Sequence, residues 1–272
     1  MTIRDDLKSF LANPRLHVPR LLRYAERSLC RLFANTAFFM QGQMDISSRS
    51  LWHNKEFVEK VGGFFPPNGS RRTINDLEPW DSVRRDMLVL LLRQVIANDI
   101  EGDFAELGVY RGSTARLIHH YAPERKLHLF DTFEGFTQKD VKADAEKFGV
   151  EVRPGHFTET SAEAVKRYIE PQTENVFFHV GAFPETISSP IESLKFAFVH
   201  LDADIYEPMK SGLEFFYPRV SPGGIIVAHD YNAWHGARHA VDGFFANKME
   251  TPIPMPDKSG SAVIVKLADV SG

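Results

Sequence analysis

The feature that most constrains the fold is an alternation of short apolar runs with segments of helical character between residues 104 and 267. Such alternation is typical of strand–helix–strand units, which build a mostly parallel sheet covered by helices. The six apolar runs predicted as strands span residues 104–107, 127–130, 176–180, 196–201, 225–228 and 262–267. The sequence therefore predicts an α/β, Rossmann-like domain over residues 87–272, which opens with a buried helix at residues 87–97.

The last predicted strand is connected differently from the others. The turn Asp257-Lys258-Ser259-Gly260 leads directly into it from a proline-rich stretch at residues 251–256. A connection of this length is too short for the crossover that joins two parallel neighbours. We therefore expect the last strand to pair antiparallel with a short strand just before it, after a helix over residues 234–246.

Residues 1–86 show no clear strand pattern and are predicted to form an N-terminal helical extension. Within it, residues 19–40 carry apolar side chains at helical spacing. Four arginines form one stripe on this predicted helix, namely Arg20, Arg23, Arg27 and Arg31. The stripe is either a solvated basic face or a contact surface for a second subunit, an anionic carrier or a membrane surface. A hydrophobic helix here is compatible with a homo-oligomer.

Composition limits the class of protein. The 272 residues are 43% hydrophobic and 25% charged, which is typical of a soluble globular protein. The net charge of -4 gives no reason to expect nucleic acid as a partner. A single cysteine, Cys30, excludes an internal disulfide, and the polar N-terminus is unlike a secretory signal. No apolar run reaches the roughly 18 residues of a membrane helix, so no membrane span is predicted and the cytoplasm is the expected location.

The first predicted strand ends in an acid that is followed by a glycine turn. Glu106, Gly108 and Gly112 form the pattern E-x-G-x-x-x-G instead of the G-x-G-x-x-G of dinucleotide-binding turns. Gly108 permits a tight turn, and Gly112 lets a ligand approach the backbone. Ser113 or Thr114 is expected to cap the following helix. The acid repels a phosphate but suits the cationic methionine end of S-adenosylmethionine; the alternative is an acid that merely ends a strand.

A second acid, Asp131, ends the next predicted strand, 25 residues after Glu106. One carboxylate at this place can bind both hydroxyls of a ribose, so Asp131 and the adjacent Thr132 are predicted to bind the nucleoside. Gly181 and Ala182 follow the third strand, where small residues leave room for an adenine ring. The alternative is a turn glycine without ligand contact. The two acids together predict S-adenosylmethionine as the cofactor.

Carboxylates also end the fourth and fifth predicted strands. Asp202 and Asp204 follow the fourth strand, and Asp230 follows the fifth. Because ligands collect outside the carboxyl ends of parallel strands, we expect Asp202 and Asp230 within reach of one divalent ion such as Mg²⁺. A metal there lowers the pKa of a substrate hydroxyl. The alternative is that Asp202 or Asp204 only accepts a hydrogen bond from a loop backbone.

Four segments together resemble the TylF family of macrocin-type O-methyltransferases, over about residues 80–246. They are residues 106–112, DTFEGF at residues 131–136, LDADIYEPMKSGLEFFYPRVSPGG at residues 201–224 and HDY at residues 229–231. The resemblance implies a class I methyltransferase fold, S-adenosylmethionine as methyl donor, and Mg²⁺ bound at the positions of Asp202, His229 and Asp230. It also implies that Asp202 is a general base and that the acceptor is a sugar hydroxyl on a macrolide or related natural product.

His229 departs from the family, which tends to carry Asp or Glu at this position. Imidazole is a poorer ligand for Mg²⁺ and a better one for Mn²⁺, Fe²⁺ or Zn²⁺. Four interpretations are open: His229 binds a softer metal, it is itself the general base, the metal has been lost, or the histidine makes only a structural hydrogen bond. Asp202 and His229 are thus candidate catalytic residues, and the same two residues with Asp230 are candidate metal ligands.

The sequence predicts an S-adenosylmethionine-dependent O-methyltransferase, assisted by a divalent metal, that acts on a hydroxyl of a sugar or a glycosylated small molecule. The alternatives are a metal-independent methyltransferase with the strand-end histidine as base, and a non-catalytic S-adenosylmethionine-binding scaffold. Arg84 or Arg85 is a candidate for binding the methionine carboxylate. Further candidates, for the acceptor side, are His156, Trp234 and His235.

Overall fold

The computed structural model describes residues 81–149, 156–169 and 173–268. The helical extension and the arginine stripe predicted for the N-terminal region lie outside the described residues, apart from residues 81–86. The domain boundary between residues 86 and 87 therefore stays a prediction. Within the described part of the chain, no helix is long and apolar enough to span a bilayer.

The described residues contain seven strands that form a single sheet. They are β1 (Asp103–Leu107), β2 (Leu127–Asp131), β3 (Val176–Val180), β4 (Phe196–Leu201), β5 (Val220–Ala228), β6 (Ile253–Pro254) and β7 (Ala262–Val265). Their order is β3-β2-β1-β4-β5-β7-β6, with β1 to β5 parallel and β7 antiparallel to both β5 and β6. The predicted α/β fold, with a mostly parallel sheet and an antiparallel last strand, is confirmed.

Helices cover both faces of this sheet. In the described ranges they are α1 (Ser82–Ala97), α2 (Ser113–Tyr121), α3 (Gln138–Phe148), α4 (Ala162–Ile169), α5 (Ser189–Glu192), α6 (Tyr206–Phe216) and α7 (His235–Phe245). Helices α6 and α7 share one hydrophobic core cluster with Leu107 and Leu201 of the central strands. Because successive strand residues point to opposite faces, Glu106 and His200 face the other side, where α1 packs on β4 and β5.

Strand β4 shows why the sheet is buried on both faces. All six of its residues, FAFVHL, are buried, as expected of a central strand in a parallel sheet covered by helices. Five of the six are apolar, so the strand has no polar face. His200 is the exception, and it lies on the face opposite to α6 and α7. Because buried polar side chains are normally hydrogen-bonded, its partner has to be identified.

Helix α1 begins five residues earlier than the predicted start at residue 87 because Asp81 caps it. The Asp81 carboxylate accepts hydrogen bonds from the backbone N–H groups of Val83 and Arg84, at 3.0 and 3.1 Å. Its other oxygen accepts the backbone N–H of Lys258 at 2.8 Å, in the turn before β7. This one side chain therefore fixes the first turn of α1, which carries Arg84, against the carboxyl-end edge of the sheet.

Strand β5 differs from its prediction at its start. It begins at Val220, so that residues 221–224, which precede the predicted strand at residues 225–228, lie within it. Phe196 pairs with Val220 and Phe198 pairs with Ile225, so four residues of β5 lie opposite one residue of β4. Such an irregularity absorbs extra residues without ending the strand. Strand β7 ends two residues earlier than predicted, at Val265.

Candidate active site

The strand order reverses between β1 and β4, which is the place where open parallel sheets bind ligands. Strand β1 has β2 on one side and β4 on the other. Glu106 is the second-last residue of β1, Asp131 ends β2, and Asp202 follows β4 directly. The backbone N–H of Asp202 donates to the carbonyl of Leu107 at 2.8 Å, so the two strand ends remain in contact beyond their last paired residues.

Gly108 makes that contact possible. Its φ of 86° is in the left-handed region, and a Cβ built on it would collide with the backbone carbonyl of Asp202. The glycine is therefore required for the close approach of two strand ends as well as for the turn itself. The sequence predicted the tight turn at Gly108. It did not predict the contact with the end of β4, which depends on the neighbouring strand.

Gly112 occupies the N-cap position of α2, with φ 79°, and no side chain caps this helix. The prediction that Ser113 or Thr114 caps α2 is wrong, because both residues already lie inside its first turn. A Cβ on Gly112 would lie 2.6 Å from Cγ1 of Val165, so the glycine admits a side chain of α4. Gly112 is not among the residues that line the cavity described below, whereas Ser113 is.

The Asp131 carboxylate accepts hydrogen bonds from backbone N–H groups of the turn after β1 and of the loop after β2. Its Oδ2 accepts the N–H groups of Val109 and Tyr110 at 2.6 and 2.8 Å, and its Oδ1 accepts that of Phe133 at 2.7 Å. The carboxylate thus ties the β1 turn to the end of β2. Both oxygens of Asp131 already accept a backbone N–H. A carboxylate has about four lone-pair sites, so Asp131 can accept a further hydrogen bond from a ribose hydroxyl.

Thr132 supports the adjacent loop. Its hydroxyl donates to the carbonyl of Gly135 at 2.6 Å and accepts the N–H of Glu134 at 3.2 Å. Both hydrogen bonds of this hydroxyl are thus made within the segment DTFEGF at residues 131–136. Thr132 still lines the cavity.

Glu106 is 1% exposed and pairs with a buried histidine. Its Oε1 lies 3.0 Å from Nδ1 of His200 on the neighbouring strand. Burial lowers the pKa of His200 to about 3, so the imidazole is neutral and its Nδ1–H donates to the carboxylate. His200 therefore orients Glu106. The sequence analysis missed this residue, although the register that pairs Glu106 with His200 follows from the predicted strands.

A cavity of about 390 Å³ lies along this edge of the sheet, within the size range of small-molecule sites. From β1, β2 and β3 it is lined by Glu106, Gly108, Ser113, Asp131, Thr132, Gly181 and Ala182; we call this side the donor half. From α1, β4 and β5 it is lined by Arg84, Asp202, His229 and Asp230; we call this side the activating half. Except for Gly112, all residues predicted for the cofactor and the metal thus lie on one cavity.

Aromatic side chains form a further wall of the cavity. Phe157 lies between Tyr110 and Phe136, with ring centroids at 5.0 and 5.3 Å, and the ring of Trp234 lies 6.4 Å from that of Phe136. All four residues line the cavity, whereas the predicted acceptor-side candidates His156 and His235 are exposed and do not line it. Phe136 and Phe157 lie in the segment between β2 and β3, which also contains the predicted candidate His156.

The activating half is built from side chains that bond to one another. Nδ1 of His229 lies 2.7 Å from Oδ1 of Asp202 and 3.0 Å from Oδ2 of Asp230. The backbone brings them together because β4 and β5 pair in register up to Leu201 and Ala228. Asp230 takes up the left-handed conformation, with φ 59°, which an aspartate tolerates better than most residues. Non-glycine residues in this conformation are concentrated at functional sites.

The charges of this half are strongly coupled. Burial lowers the pKa of His229, but the charge of Asp202 and the hydrogen bonds that the ring donates to Asp202 and Asp230 outweigh it and raise the pKa to about 10. Burial also favours the neutral form of Asp202, yet His229 and Arg84 hold its pKa below the usual range. Burial and the carboxylates of Asp230 and Asp202 raise the pKa of Asp204 well above its ordinary value. Asp202 is therefore ionised, whereas the neutral form of Asp204 is favoured.

Arg84 contacts the same cluster from α1. Its Nη1 lies 3.0 Å from Nε2 of His229 and 3.3 Å from Oδ2 of Asp202. Arg84 and Arg85 are the residues predicted as candidates for the methionine carboxylate, and that role stays a prediction. Arg84 lies against the activating half, and Arg85 pairs with Asp86 at 2.7 Å. The spacing of α1 does not reveal this contact, because it depends on the cap at Asp81 and on the angle of the helix to the sheet.

Each of the first two strands has an acid near its end, and the glycine turn after the first lacks a phosphate-binding pattern. Together with the strand order, these features define the class of S-adenosylmethionine-dependent methyltransferases. The family model described as Macrocin-O-methyltransferase (TylF) matches residues 81–263, and the chain therefore belongs to this family. The family predicted from the sequence is confirmed, and the protein is a methyltransferase with S-adenosylmethionine as its methyl donor.

Two relatives from Streptomyces are similar over most of the chain. Demethyldecarbamoylnovobiocin O-methyltransferase of Streptomyces niveus is 29% identical over 203 residues, which are 71% of this chain and 74% of that enzyme. The 8-demethyl-8-(2,3-dimethoxy-alpha-L-rhamnosyl)-tetracenomycin-C 4'-O-methyltransferase of Streptomyces olivaceus is 31% identical over 191 residues, 65% of this chain and 71% of that enzyme.

Solved structures give the same fold. That of the O-methyltransferase NovP matches with a TM-score of 0.57 and 26% identity, over 79% of this chain and 89% of that one. The structure of CalS11, a calicheamicin methyltransferase, matches with a TM-score of 0.56 over 78% of this chain and 93% of that one. At 20% identity the second match supports the fold alone.

Proposed function

We propose that this O-methyltransferase transfers a methyl group to a hydroxyl on the sugar of a glycosylated natural product. The observation that carries the proposal is the single cavity that both halves line. A donor molecule bound at Glu106 and Asp131 then presents its methyl group toward Asp202, within the same cavity. The relative from Streptomyces olivaceus, whose name specifies a 4'-position of a rhamnosyl-tetracenomycin, supports a sugar hydroxyl as the acceptor.

In this proposal Asp202 receives the proton of the acceptor. The hydroxyl oxygen forms a bond to the methyl carbon while the bond from that carbon to sulfur breaks and its electron pair stays on sulfur. The products are the methyl ether and S-adenosylhomocysteine, and the hydroxyl proton goes to Oδ2 of Asp202. His229 stabilises the ionised form of Asp202 through its 2.7 Å hydrogen bond. Alignment of oxygen, carbon and sulfur within the cavity supplies much of the rate acceleration.

The aromatic wall suits a glycosylated acceptor. Sugar rings and planar aglycones pack on aromatic faces, and Trp234 offers such a face next to the activating half. Phe136 and Phe157, in the segment between β2 and β3, line the same cavity, and Phe136 contacts the ring of Trp234. We infer that this wall holds the acceptor with one hydroxyl directed at Asp202.

A divalent metal is the finer part of the proposal. Ligand atoms of Asp202, His229 and Asp230 lie within 4.8 Å of one another, a spread that one ion can bridge. The raised pKa of Asp204, caused by burial and by the carboxylates of Asp230 and Asp202, marks a cluster rich in acids that a dication relieves. The carboxylates of Asp202 and Asp230 fit Mg²⁺ or Mn²⁺, which when bound supplies a Lewis acid that lowers the pKa of the hydroxyl.

A metal-independent reaction is the second candidate, and the contacts of Arg84 favour it. Its guanidinium already brings a positive charge to Asp202 and His229. In this version Arg84 and His229 stabilise the carboxylate that accepts the proton. Activity after exhaustive treatment with EDTA distinguishes the two: full activity supports the second candidate, and loss with recovery on added Mg²⁺ or Mn²⁺ supports the first.

The proposed acceptor class is tested with S-adenosylmethionine that carries a trideuterated methyl group and a panel of acceptors analysed by mass spectrometry. The panel pairs each glycosylated compound with its aglycone, so that only the sugar differs. We expect the label on the sugar of at least one glycosylated compound. Transfer to an aglycone hydroxyl alone, or to no hydroxyl while S-adenosylhomocysteine still binds, contradicts the proposal.

A further inference from the structure

Helix α3 forms part of the cavity wall, yet it buries almost nothing against the rest of the domain. Three residues at its N-terminal end line the cavity: Phe136 and Thr137 just before the helix, and Asp140 in its first turn. Among its 11 residues a single one is buried, Asp144, and its apolar residues are half-buried. A surface helix normally attaches through a stripe of buried apolar side chains. Because α3 lacks such a stripe, its attachment depends largely on Asp144.

The Asp144 carboxylate contacts the start of another helix. The residue is 2% exposed, and its Oδ1 accepts the backbone N–H of Tyr206 at 2.9 Å. Tyr206 is the first residue of α6, and the N-cap residue Ile205 makes no side-chain hydrogen bond to this helix. The first N–H groups of a helix lack partners within it and carry a partial positive charge, so a carboxylate there is stabilising. Asp144 therefore caps α6 from a different helix.

Helix α7 provides the space that this contact needs. Gly236 is its second residue, and a Cβ built on it would lie 2.5 Å from Oδ1 of Asp144 and 2.6 Å from the backbone nitrogen of Tyr206. The backbone of Gly236 is not in the left-handed region, so the lack of space, and not the backbone conformation, accounts for a glycine here. The carboxylate of α3 thus lies where the first turns of α6 and α7 meet.

Few other contacts fix α3. Within the described ranges, the bond from Tyr206 to Asp144 is the only hydrogen bond or ion pair that joins α3 to another element. The ring of Phe148 lies 5.6 Å from that of Tyr206 and 4.8 Å from that of His239, and the Lys147 ammonium lies over the Tyr206 ring. Oδ2 of Asp144 is buried and accepts no hydrogen bond from the described residues, which opposes docking. The docked position of α3 is therefore sensitive to this one side chain.

We propose that Asp144 is a positioning residue that docks α3 on α6 and α7 and thereby sets the acceptor side of the cavity. The inference rests on the proposed function, because it takes the wall formed by Phe136, Thr137 and Asp140 to contact the acceptor. The acids of the donor half lie on β1 and β2, so donor binding is expected to survive when α3 undocks. Loss of Asp144 then weakens acceptor binding selectively.

Hydrogen exchange of the full chain, followed by mass spectrometry without donor or acceptor, tests the docking. An isolated helix of this length is marginal in water, so α3 protects its amides only while it is docked. In Asp144→Ala we expect the amides of residues 141–148 to exchange about tenfold faster or more. Asp144→Asn keeps an oxygen that can accept the N–H of Tyr206 and is expected to restore most of the protection. Glu146→Gln, at an exposed acid of the same helix that pairs with Lys142, should stay within about twofold of the wild type.

Gly236→Ala tests the same contact from the side of α7 and replaces Asp144→Ala should that variant fail to fold. Its added methyl group collides with Oδ1 of Asp144, so the amides of α3 are again expected to exchange about tenfold faster. Gly243→Ala is the matched control on the same helix, because a Cβ there meets no atom of the described residues within 4 Å. It should leave the exchange of α3 unchanged.

Steady-state kinetics separate a positioning role from a general loss of stability. For the glycosylated acceptor found with the labelled donor, we expect KM to rise about tenfold in Asp144→Ala. Both kcat and the affinity for S-adenosylhomocysteine should stay within about threefold of the wild type, as when only binding of the acceptor is lost. Asp144→Asn should recover most of the KM. Tyr217→Phe removes a hydrogen bond to Glu250 away from the cavity, and should lower stability without changing KM.

The proposal is overturned if α3 keeps its protection in Asp144→Ala, or in Gly236→Ala where the first variant does not fold. It is also overturned if faster exchange leaves the KM for the acceptor unchanged, or if S-adenosylhomocysteine binding is lost as well. The exchange measurement uses neither donor nor acceptor. If no sugar is methylated, the proposed function fails, while exchange still decides whether Asp144 docks α3.

Discussion

The donor half and the activating half share one cavity but are held together in different ways. The acid of the donor half that ends β2, Asp131, accepts three backbone N–H groups. The acids of the activating half bond instead to titratable side chains, with His229 between Asp202 and Asp230 and Arg84 against both His229 and Asp202. Asp131 is thus fixed by backbone groups, whereas the activating half depends on which of its side chains carry protons or bind a cation.

The largest expected effect comes from the glycine where the two halves meet. Gly108→Ala adds a Cβ that collides with the carbonyl of Asp202 and strains a backbone at φ 86°. We expect a loss of about 3 kcal/mol or more of unfolding free energy, together with loss of both donor binding and turnover. Urea unfolding followed by circular dichroism gives the value.

Gly149→Ala is the matched control for strain alone. Gly149 has φ 67°, and a Cβ there meets no atom of the described residues within 4 Å. Its cost is expected to be about 1 kcal/mol, from the left-handed backbone conformation. Equal destabilisation by the two variants would show that the contact between the halves at Gly108 carries no energy.

A change at Asp131 is expected to weaken donor binding without altering the activating half. In the wild type both Asp131 oxygens accept hydrogen bonds from backbone N–H groups. Asp131→Asn replaces one of these oxygens with an amide NH₂, which cannot accept from the N–H that faces it. We expect the affinity for S-adenosylhomocysteine to fall about tenfold or more, since a mismatched buried polar pair costs about 1–3 kcal/mol. Isothermal titration calorimetry measures it. Asp140→Asn, at a cavity carboxylate that bonds to Thr137 of its own helix turn, should leave that affinity unchanged.

The pair of His200 and Glu106 tests how the donor half is oriented. His200→Leu removes the donor to Glu106 but keeps a buried apolar side chain at this fully buried position. The KM for S-adenosylmethionine is expected to rise about fivefold to tenfold, in line with about 1–1.5 kcal/mol for one hydrogen bond, with a smaller change in kcat. His200→Asn retains an N–H donor and should restore part of the loss. An unchanged KM in the leucine variant would mean that His200 only fills space.

The smallest expected effect is a pH dependence in the strands behind the donor half. Burial, assisted by the charge of His128, lowers the pKa of His179 on β3 to about 4 from its ordinary 6.5. The unfolded chain then takes up a proton that the folded chain does not, so stability falls as the pH drops from about 6.5 toward 4. His179→Gln should show a weaker fall over the same range in urea unfolding. Parallel curves for the two proteins would exclude this contribution.

The same contrast between the halves explains what the sequence could predict. The strands, the turn at Gly108 and the acids Glu106, Asp131 and Asp202 follow from local patterns, because each depends on a strand and the residue that ends it. The role of Ser113 as a cap was wrong, since a glycine with φ 79° can take the N-cap position without a side-chain bond. The position of Arg84 could not be predicted, because it depends on how α1 crosses the sheet after its cap at Asp81.

His200 is an intermediate case. Its strand was predicted, and its partner Glu106 ends the neighbouring strand, so their pairing needed only the strand order and register. A polar residue in an otherwise apolar central strand was the available signal. Contacts that join two adjacent parallel strands are therefore within reach of sequence reasoning, whereas contacts from a packed helix are not.

The most direct test of this account is calorimetry with S-adenosylhomocysteine and a methyl-transfer assay on the wild type and Asp202→Asn in parallel. If the donor half is fixed by the fold and Asp202 acts on the acceptor, the variant binds S-adenosylhomocysteine within about threefold of the wild type, while turnover falls about 100-fold or more. A variant that stays fully active, or one that loses S-adenosylhomocysteine binding together with turnover, contradicts the division of the site into these two halves.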